Sequence, residues 1–146
     1  MKKKMIKSLI TAFAIGLLAA FTIYLYVFHK PHRDVAGEKP AYKTTASKLI
    51  DEFTADETTA YNTYGNQVIQ VTGEVAEISI SSTNVSISLE DAMSGVSCGF
   101  DSLSIAKVGI HKLQEINEGD QVIIKGQCDG YDMIMGVVLT RCFLIK

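Results

Sequence analysis

The sequence predicts a mainly β protein: a five-stranded Greek-key barrel with an amphipathic lead-in helix, a second helix between its third and fourth strands, and one transmembrane helix ahead of it all. Three observations carry this. Residues 67–100 fall into three short runs in which apolar and polar side chains alternate, which places each set on its own face of a pleated strand. Two more such runs follow at 121–128 and 136–145. Residues 8–28 hold no charged side chain at all.

The chain has 146 residues, enough for one domain plus accessory segments. Its formal net charge of −2 hides a split. Lys2, Lys3, Lys4 and Lys7 crowd the start, whereas residues 29–146 hold ten basic against sixteen acidic side chains, a net of −6. A nucleic-acid footprint shows as a basic patch or stripe, so this acidic part disfavours nucleic acid as a partner. Tryptophan is absent, which leaves only Tyr and Phe as stacking platforms.

Residues 1–7 form a basic N-terminus and 8–28 an apolar run rich in Leu, Ile, Ala and Phe. A hydrocarbon core ~30 Å thick takes about 20 such residues as helix. Tyr24 and Tyr26 stand near its far end, where aromatic side chains favour the headgroup zone, and the lysines hold the start in the cytoplasm. A cleaved signal peptide is the rival reading, but its apolar region is shorter and ends in a small-x-small site, whereas this run ends in Y-L-Y-V-F-H-K. The expectation is an uncleaved signal-anchor in a bacterial inner membrane, single pass, with the C-terminal domain in the periplasm. Residues 29–43 contain both prolines, Pro31 and Pro40, and read as a linker.

The domain proper is expected at 44–146, with a lead-in at 44–64 and a barrel at 65–146. Ala46, Leu49, Ile50 and Phe53 make the stripe of an amphipathic helix, which Thr44 or Thr45 caps. Asp56 opens a second short helical turn, and Gly65-Asn66 turns the chain into the first strand. That strand, 68–78, carries Gly73 at its middle, where a bulge or sharp bend is expected. Strands at 84–90 and 96–100 follow, then a helix at 102–116 with a weak spot at Val108-Gly109. The fourth strand, 121–128, closes on a D-G-Y-D turn at 129–132, and the fifth covers 136–145. G-N-Q-V-I-Q-V-T-G at 65–73 echoes G-D-Q-V-I-I-K-G at 119–126, two entries from a tight turn into a curved strand. The order β-β-β-α-β-β with a bent first strand is that of an OB-fold barrel.

The same residues resemble the tRNA_anti-like family of OB-fold envelope proteins, many of them small exported or lipid-anchored proteins of Bacteroidetes-type bacteria. The matching stretches are S-K-L-I-D-E-F-T-A-D-E-T-T-A at 47–60, Y-G-N-Q-V-I-Q-V-T-G-E-V at 64–75, V-S-C-G-F at 96–100, E-G-D-Q-V-I-I-K-G-Q-C-D-G at 118–130 and V-V-L-T-R-C-F-L at 137–144. The resemblance implies an OB-fold and an envelope location, and it fixes no activity. A transmembrane helix here stands where lipid-anchored members have a lipobox.

Cys98, Cys128 and Cys142 are the three cysteines. The third and fifth strands of this topology run side by side, so Cys98 and Cys142 are the pair within reach of a disulfide in an oxidising compartment, against the plainer reading of three buried small apolar groups. No C-x-x-C is present and His111 has no partner at ligand spacing, so no metal and no cofactor is expected. Ser104-Ile105-Ala106-Lys107 fits S-x-x-K without the companion S-D-N and K-T-G motifs, and is read as chance. Asn84-Val85-Ser86 is a glycosylation sequon, relevant only on a eukaryotic secretory path.

What remains is a surface. OB-folds bind across strands two and three, between the loops after strands one and four. That face is expected to show Asn84, Ser86, Ser88 and Ser97, flanked by 79–83 with Ser81 and Ser82 on one side and by Tyr131 and Asp132 on the other. It is polar, neutral and hydroxyl-rich, and suits a glycan, a peptide or an envelope protein better than a polyanion; the plainer reading is the wet face of a sheet. The function expected is a non-catalytic, membrane-anchored periplasmic binding or assembly module. The alternative is a binder of single-stranded nucleic acid, and the third reading is an enzyme using a free Cys or Ser104 and Lys107.

Overall fold

The computed structural model describes residues 2–28 and 34–146, with side chains at 6, 11–27 and 34–146. Residues 2–33 and 34–146 belong to separate compact units. In the first, α1 covers Lys2–Phe28. Its apolar side chains Phe13, Ile15, Leu17, Leu18 and Phe21 are all exposed, so it is apolar on every side. Among the described residues no helix is long and apolar enough to cross a membrane. The stretch 11–27 spans ~25 Å at 1.5 Å per residue, so the expected span rests on the sequence of 8–28 as a whole. The first part of the expected linker, 29–33, lies outside the described residues.

The second unit begins at Asp34, ten residues before the expected boundary at 44. Residues 34–41 are a strap docked on the barrel. Val35 is buried, and the Lys125 ammonium donates to the carbonyls of Ala36 and Glu38 at 2.7 and 3.0 Å. A buried cation is tolerated because those dipoles replace its water. Asp34 meets Lys107 at 3.1 Å, and the Ala41 amide donates to the Val68 carbonyl. The chain then forms β1, Tyr42–Thr45, parallel to the next strand and outside the barrel.

Two helices lead in, α2 at Ala46–Ala55 and α3 at Glu57–Tyr64. Thr45 caps the first by accepting from the Lys48 amide, and Asp56 caps the second by accepting from the Thr59 amide and hydroxyl. Those bonds hold the Asp56 carboxyl below its ordinary range. Asn66, in the left-handed region at φ 59°, turns the chain into the barrel, a conformation Asn tolerates better than other side chains.

The barrel strands are β2 Val68–Ile80, β3 Val85–Leu89, β4 Val96–Phe100, β5 Gln121–Asp132 and β6 Gly136–Leu144. The sheet order is β1-β2-β3-β4-β6-β5, and an added β2–β5 pairing closes it. β2 serves two partners: Val68–Glu74 pair with β5 and Val75–Ile80 with β3. The two echoing segments are thus each other's partners, running antiparallel with Gly73 opposite Val122 and Gly126 opposite Ile69. β4 and β6 are parallel, as the topology requires. Two short helices, α4 at Ser102–Val108 and α5 at Ile110–Gln114, bridge β4 and β5 and break at Gly109.

The core is the inward set of all five strands plus Leu49 and Phe53 of α2 and Leu113 of α5. Two expectations need correction. The irregularity in β2 lies between Val75 and Glu77, not at Gly73. Gly73 is needed for closeness: a Cβ there would meet the Ala46 Cβ at 2.8 Å and the Leu89 Cβ at 3.2 Å. The D-G-Y-D segment is no turn either. β5 runs through it with a register shift between Cys128 and Gly130, and the chain reverses at 133–135.

Gly73→Ala places a methyl between α2 and the end of β3, and overpacking of this kind costs ~1–3 kcal/mol. Urea unfolding of the full chain in mild detergent is expected to show a lower midpoint at unchanged slope; an unchanged midpoint would show that α2 does not press on β2 as described.

Candidate functional site

The bulge in β2 sets the site. Along β2 the inward residues are Ile69, Val71 and Val75, and after the irregularity the phase shifts, so that Ile78 packs on the core while Glu77 and Ser79 turn outward. The register then lays out two rows across the sheet. One runs Ser79, Ser86, Gly99; the other runs Glu77, Ser88, Ser97, Val138. Of these, Glu77, Ser79, Ser86, Ser88 and Ser97 line a shallow groove of about 170 Å³ together with Ala92 and Met135. Gly99 keeps the face open, since a Cβ there would meet only the Leu139 carbonyl, at 3.6 Å. The groove holds four hydroxyls and one carboxylate, and among the described residues no Lys, Arg or aromatic side chain lines it.

Ser86, Ser88 and Ser97, expected on this face, are brought together there. Ser81, Ser82 and Asn84 are exposed at the β2–β3 reversal, where the Ser81 amide donates to the Asn84 carbonyl, and they do not line the groove. Tyr131 belongs elsewhere: its ring stacks on Phe53 at 6.4 Å and 15°, because β5 continues through it and its side chain faces α2. Asp132 is a turn former, accepting at 2.8 and 3.1 Å from the amides of Ile134 and Met135. Ser79, expected only in the flanking segment 79–83, lines the groove itself, and Glu77, Ala92 and Met135 were missed. The phase shift from Ile69, Val71 and Val75 to Ile78 and Ile80 is visible in the sequence and signals Glu77 and Ser79.

Two loops form the groove's rim. In the loop after β3, Asp91 accepts from the amides of Met93 and Ser94 and from the Ser94 hydroxyl, which holds its carboxyl below the ordinary range. The loop after β5 carries Met133, Ile134 and Met135. The Val137 amide donates to the Gly95 carbonyl at 3.0 Å and fastens the two loops. Gly136, at φ 71°, lies so close to Gly95 and Ser94 that no side chain fits. Met93, Met133, Ile134 and Met135 are 70%, 95%, 72% and 49% exposed, an apolar cluster beside a hydroxyl-lined groove.

All three cysteines are free thiols and buried. The Cys98 thiol donates to the Val96 carbonyl at 3.8 Å, and it neighbours Cys142. Burial, and then the Cys98 thiol beside it, push the Cys142 thiol well above its ordinary value. Burial pushes Cys128 up to about 11. The S-x-x-K residues are drawn apart: Ser104 is buried, while the Lys107 ammonium meets Asp34 and lies 5.9 Å over the Phe143 ring. Among the described residues no group of three or more His, Cys, Asp or Glu converges to hold a metal. A second groove, about 250 Å³, runs between α2 and α3, where the Tyr64 hydroxyl donates to Glu52 at 2.6 Å. Burial first, and that carboxylate second, push the Tyr64 phenol up to about 12.

A thiol reacts as its thiolate, and burial shields all three cysteines from reagent, while the raised pKa values of Cys128 and Cys142 also leave those two little thiolate. In the reduced, folded protein at pH 8, iodoacetamide is expected to modify none of Cys98, Cys128 and Cys142 over a period in which the unfolded chain loses all three. Prompt alkylation of one of them in the folded chain would contradict the packing described.

The model of the tRNA_anti-like family matches residues 1–144. No curated protein sequence matches the chain. Among solved structures it is similar to a lipoprotein of Klebsiella pneumoniae subsp. pneumoniae, provisionally described as nucleic acid-binding, with TM-score 0.55 and 17% identity over 80% of this chain and 100% of that one. It is also similar to an OBody bound to hen egg-white lysozyme, with TM-score 0.45 and 16% identity over 57% of this chain and 85% of that one. A third is the asparaginyl-tRNA synthetase of Entamoeba histolytica, with TM-score 0.42 and 13% identity over 55% of this chain and 21% of that one. With its closed five-stranded barrel, the chain belongs to the tRNA_anti-like family of OB-fold proteins.

Proposed function

We propose that this chain is a non-catalytic binding module held on a bacterial inner membrane by residues 8–28, with its N-terminus in the cytoplasm and its OB-fold outside. The observation that carries the binding role is the groove of Glu77, Ser79, Ser86, Ser88 and Ser97, which no Lys or Arg among the described residues lines. Binding of a polyanion draws on cations that neutralise phosphates, and single-stranded bases need aromatic faces to stack on. The groove offers a carboxylate and hydroxyls in their place. The likeness to a lipoprotein described as nucleic acid-binding, at 17% identity, speaks for the fold and does not outweigh that chemistry.

Support for the anchor comes from the uncharged run 8–28, the lysines at 2, 3, 4 and 7, and the exposed apolar side chains of 11–27. On this reading the OB-fold works at the membrane surface, on partners that are there or come there. In an oxidising space Cys98 and Cys142, neighbours in the core, are the pair that would join, with the two electrons passing to a disulfide-exchanging oxidant.

Two measurements test this reading. Protease added to intact spheroplasts is expected to digest residues 34–146, whereas protection until lysis would place them in the cytoplasm. A fluorescent oligothymidylate titrated into the full chain in detergent is expected to show no saturable binding at low salt. Saturable binding whose log K falls with log salt would install the nucleic-acid reading instead.

A further inference from the structure

We infer that the groove and its methionine rim take an extended polypeptide segment of a partner, one that sets an apolar side chain next to a basic one. The inference rests on the reading of this face as the binding surface and names the class of its ligand. Its ground is the juxtaposition of three kinds of group in one place. Met93, Met133, Ile134 and Met135 project from two loops fastened to each other by the Val137–Gly95 hydrogen bond. Exposed apolar clusters rimmed by polar residues mark contact surfaces, and methionine, unbranched and polarisable, adapts to apolar side chains of varied shape. Next to them, the hydroxyls of Ser79, Ser86, Ser88 and Ser97 both donate and accept, which matches the alternating amide and carbonyl groups of an extended backbone. Glu77 closes the far end of its row and offers a carboxylate to a lysine or arginine.

Other occupants fit less well. Sugars and bases both want an aromatic platform, and none lines the groove. A bilayer surface would accept the methionines, but inner leaflets and outer leaflets of bacterial membranes carry anionic lipids, and Asp91 and Asp132 stand at the feet of the two apolar loops. The same two carboxylates favour a basic polypeptide. The charge of the site is therefore complementary to one kind of partner: apolar, basic and extended.

The test uses the full chain in zwitterionic phosphatidylcholine nanodiscs, labelled with ¹³C at the methionine methyl groups and ¹⁵N at the amides. Met1 and Met5 serve as references far along the sequence from the groove. The probe is an octapeptide of alternating leucine and lysine, compared with alternating leucine and glutamate and with oligothymidylate. The leucine–lysine peptide is expected to shift the methyls of Met93, Met133 and Met135 and the amides of Ser86, Ser88 and Ser97 saturably. Glu77→Lys, at an exposed position, should weaken that binding at least tenfold, and Met133→Ser should weaken it several-fold with the serine amides still responding at higher peptide concentration. Equal binding of the leucine–glutamate peptide, full binding by the Glu77→Lys chain, or no response to any probe would each overturn the inference. If a lipid-borne spin label broadens the three methyls without peptide, the rim belongs to the bilayer and the inference falls. If oligothymidylate alone moves the serine amides, the face remains the binding surface and only the polypeptide class is lost.

Discussion

The structure depends on one strand serving two partners. β2 pairs with β5 over Val68–Glu74 and with β3 over Val75–Ile80, and without that division the five barrel strands would be an open sheet with two bare edges. The division makes demands on the residues around it. Gly73 leaves room for Ala46 of α2 and Leu89 of β3 to press on the strand from one side. The irregularity between Val75 and Glu77 lets the strand turn from one partner to the other and moves its apolar phase by one residue. From that single shift follow the outward positions of Glu77 and Ser79, and with them the character of the groove.

Of the accessory parts, α2, α3 and α5 join the apolar core, whereas the strap and β1 are tied to the barrel by polar contacts as well as by Val35. The strap 34–41 is fixed by Val35 and by Lys125, whose ammonium takes two carbonyls in place of water. β1 then adds a short parallel strand beside β2. The second unit thus starts at Asp34 and takes in residues 34–43 of the stretch that reads as linker in the sequence.

Much of this was legible in the sequence, and the exceptions have physical reasons. Alternation located all five barrel strands, because each has one face in the core and one in water. The caps at Thr45 and Asp56 and the break at Gly109 were readable from residue chemistry. β1 was not, since Y-K-T-T lies outside the barrel, buries little and shows no period. Tyr131 misled because Asp129-Gly130 has turn composition, whereas the strand absorbs it as a bulge and the apolar M-I-M at 133–135 makes the turn, with Asp132 supplying the acceptor that local amides need. Of the face, the serines of β3 and β4 were legible from alternation alone. Its rim was not, because the meeting of two loops far apart in sequence is a product of barrel closure.

The central claim is that the phase shift in β2 turns Glu77 and Ser79 outward and Ile78 inward. Single cysteines placed at 77, 78 and 79 test it directly, because the three native cysteines are buried. With a bulky charged maleimide, Glu77→Cys and Ser79→Cys are expected to label at least tenfold faster than Ile78→Cys in the folded chain. The opposite order, with position 78 labelling fastest, would mean that β2 crosses the barrel without the shift, and the groove described here would not exist.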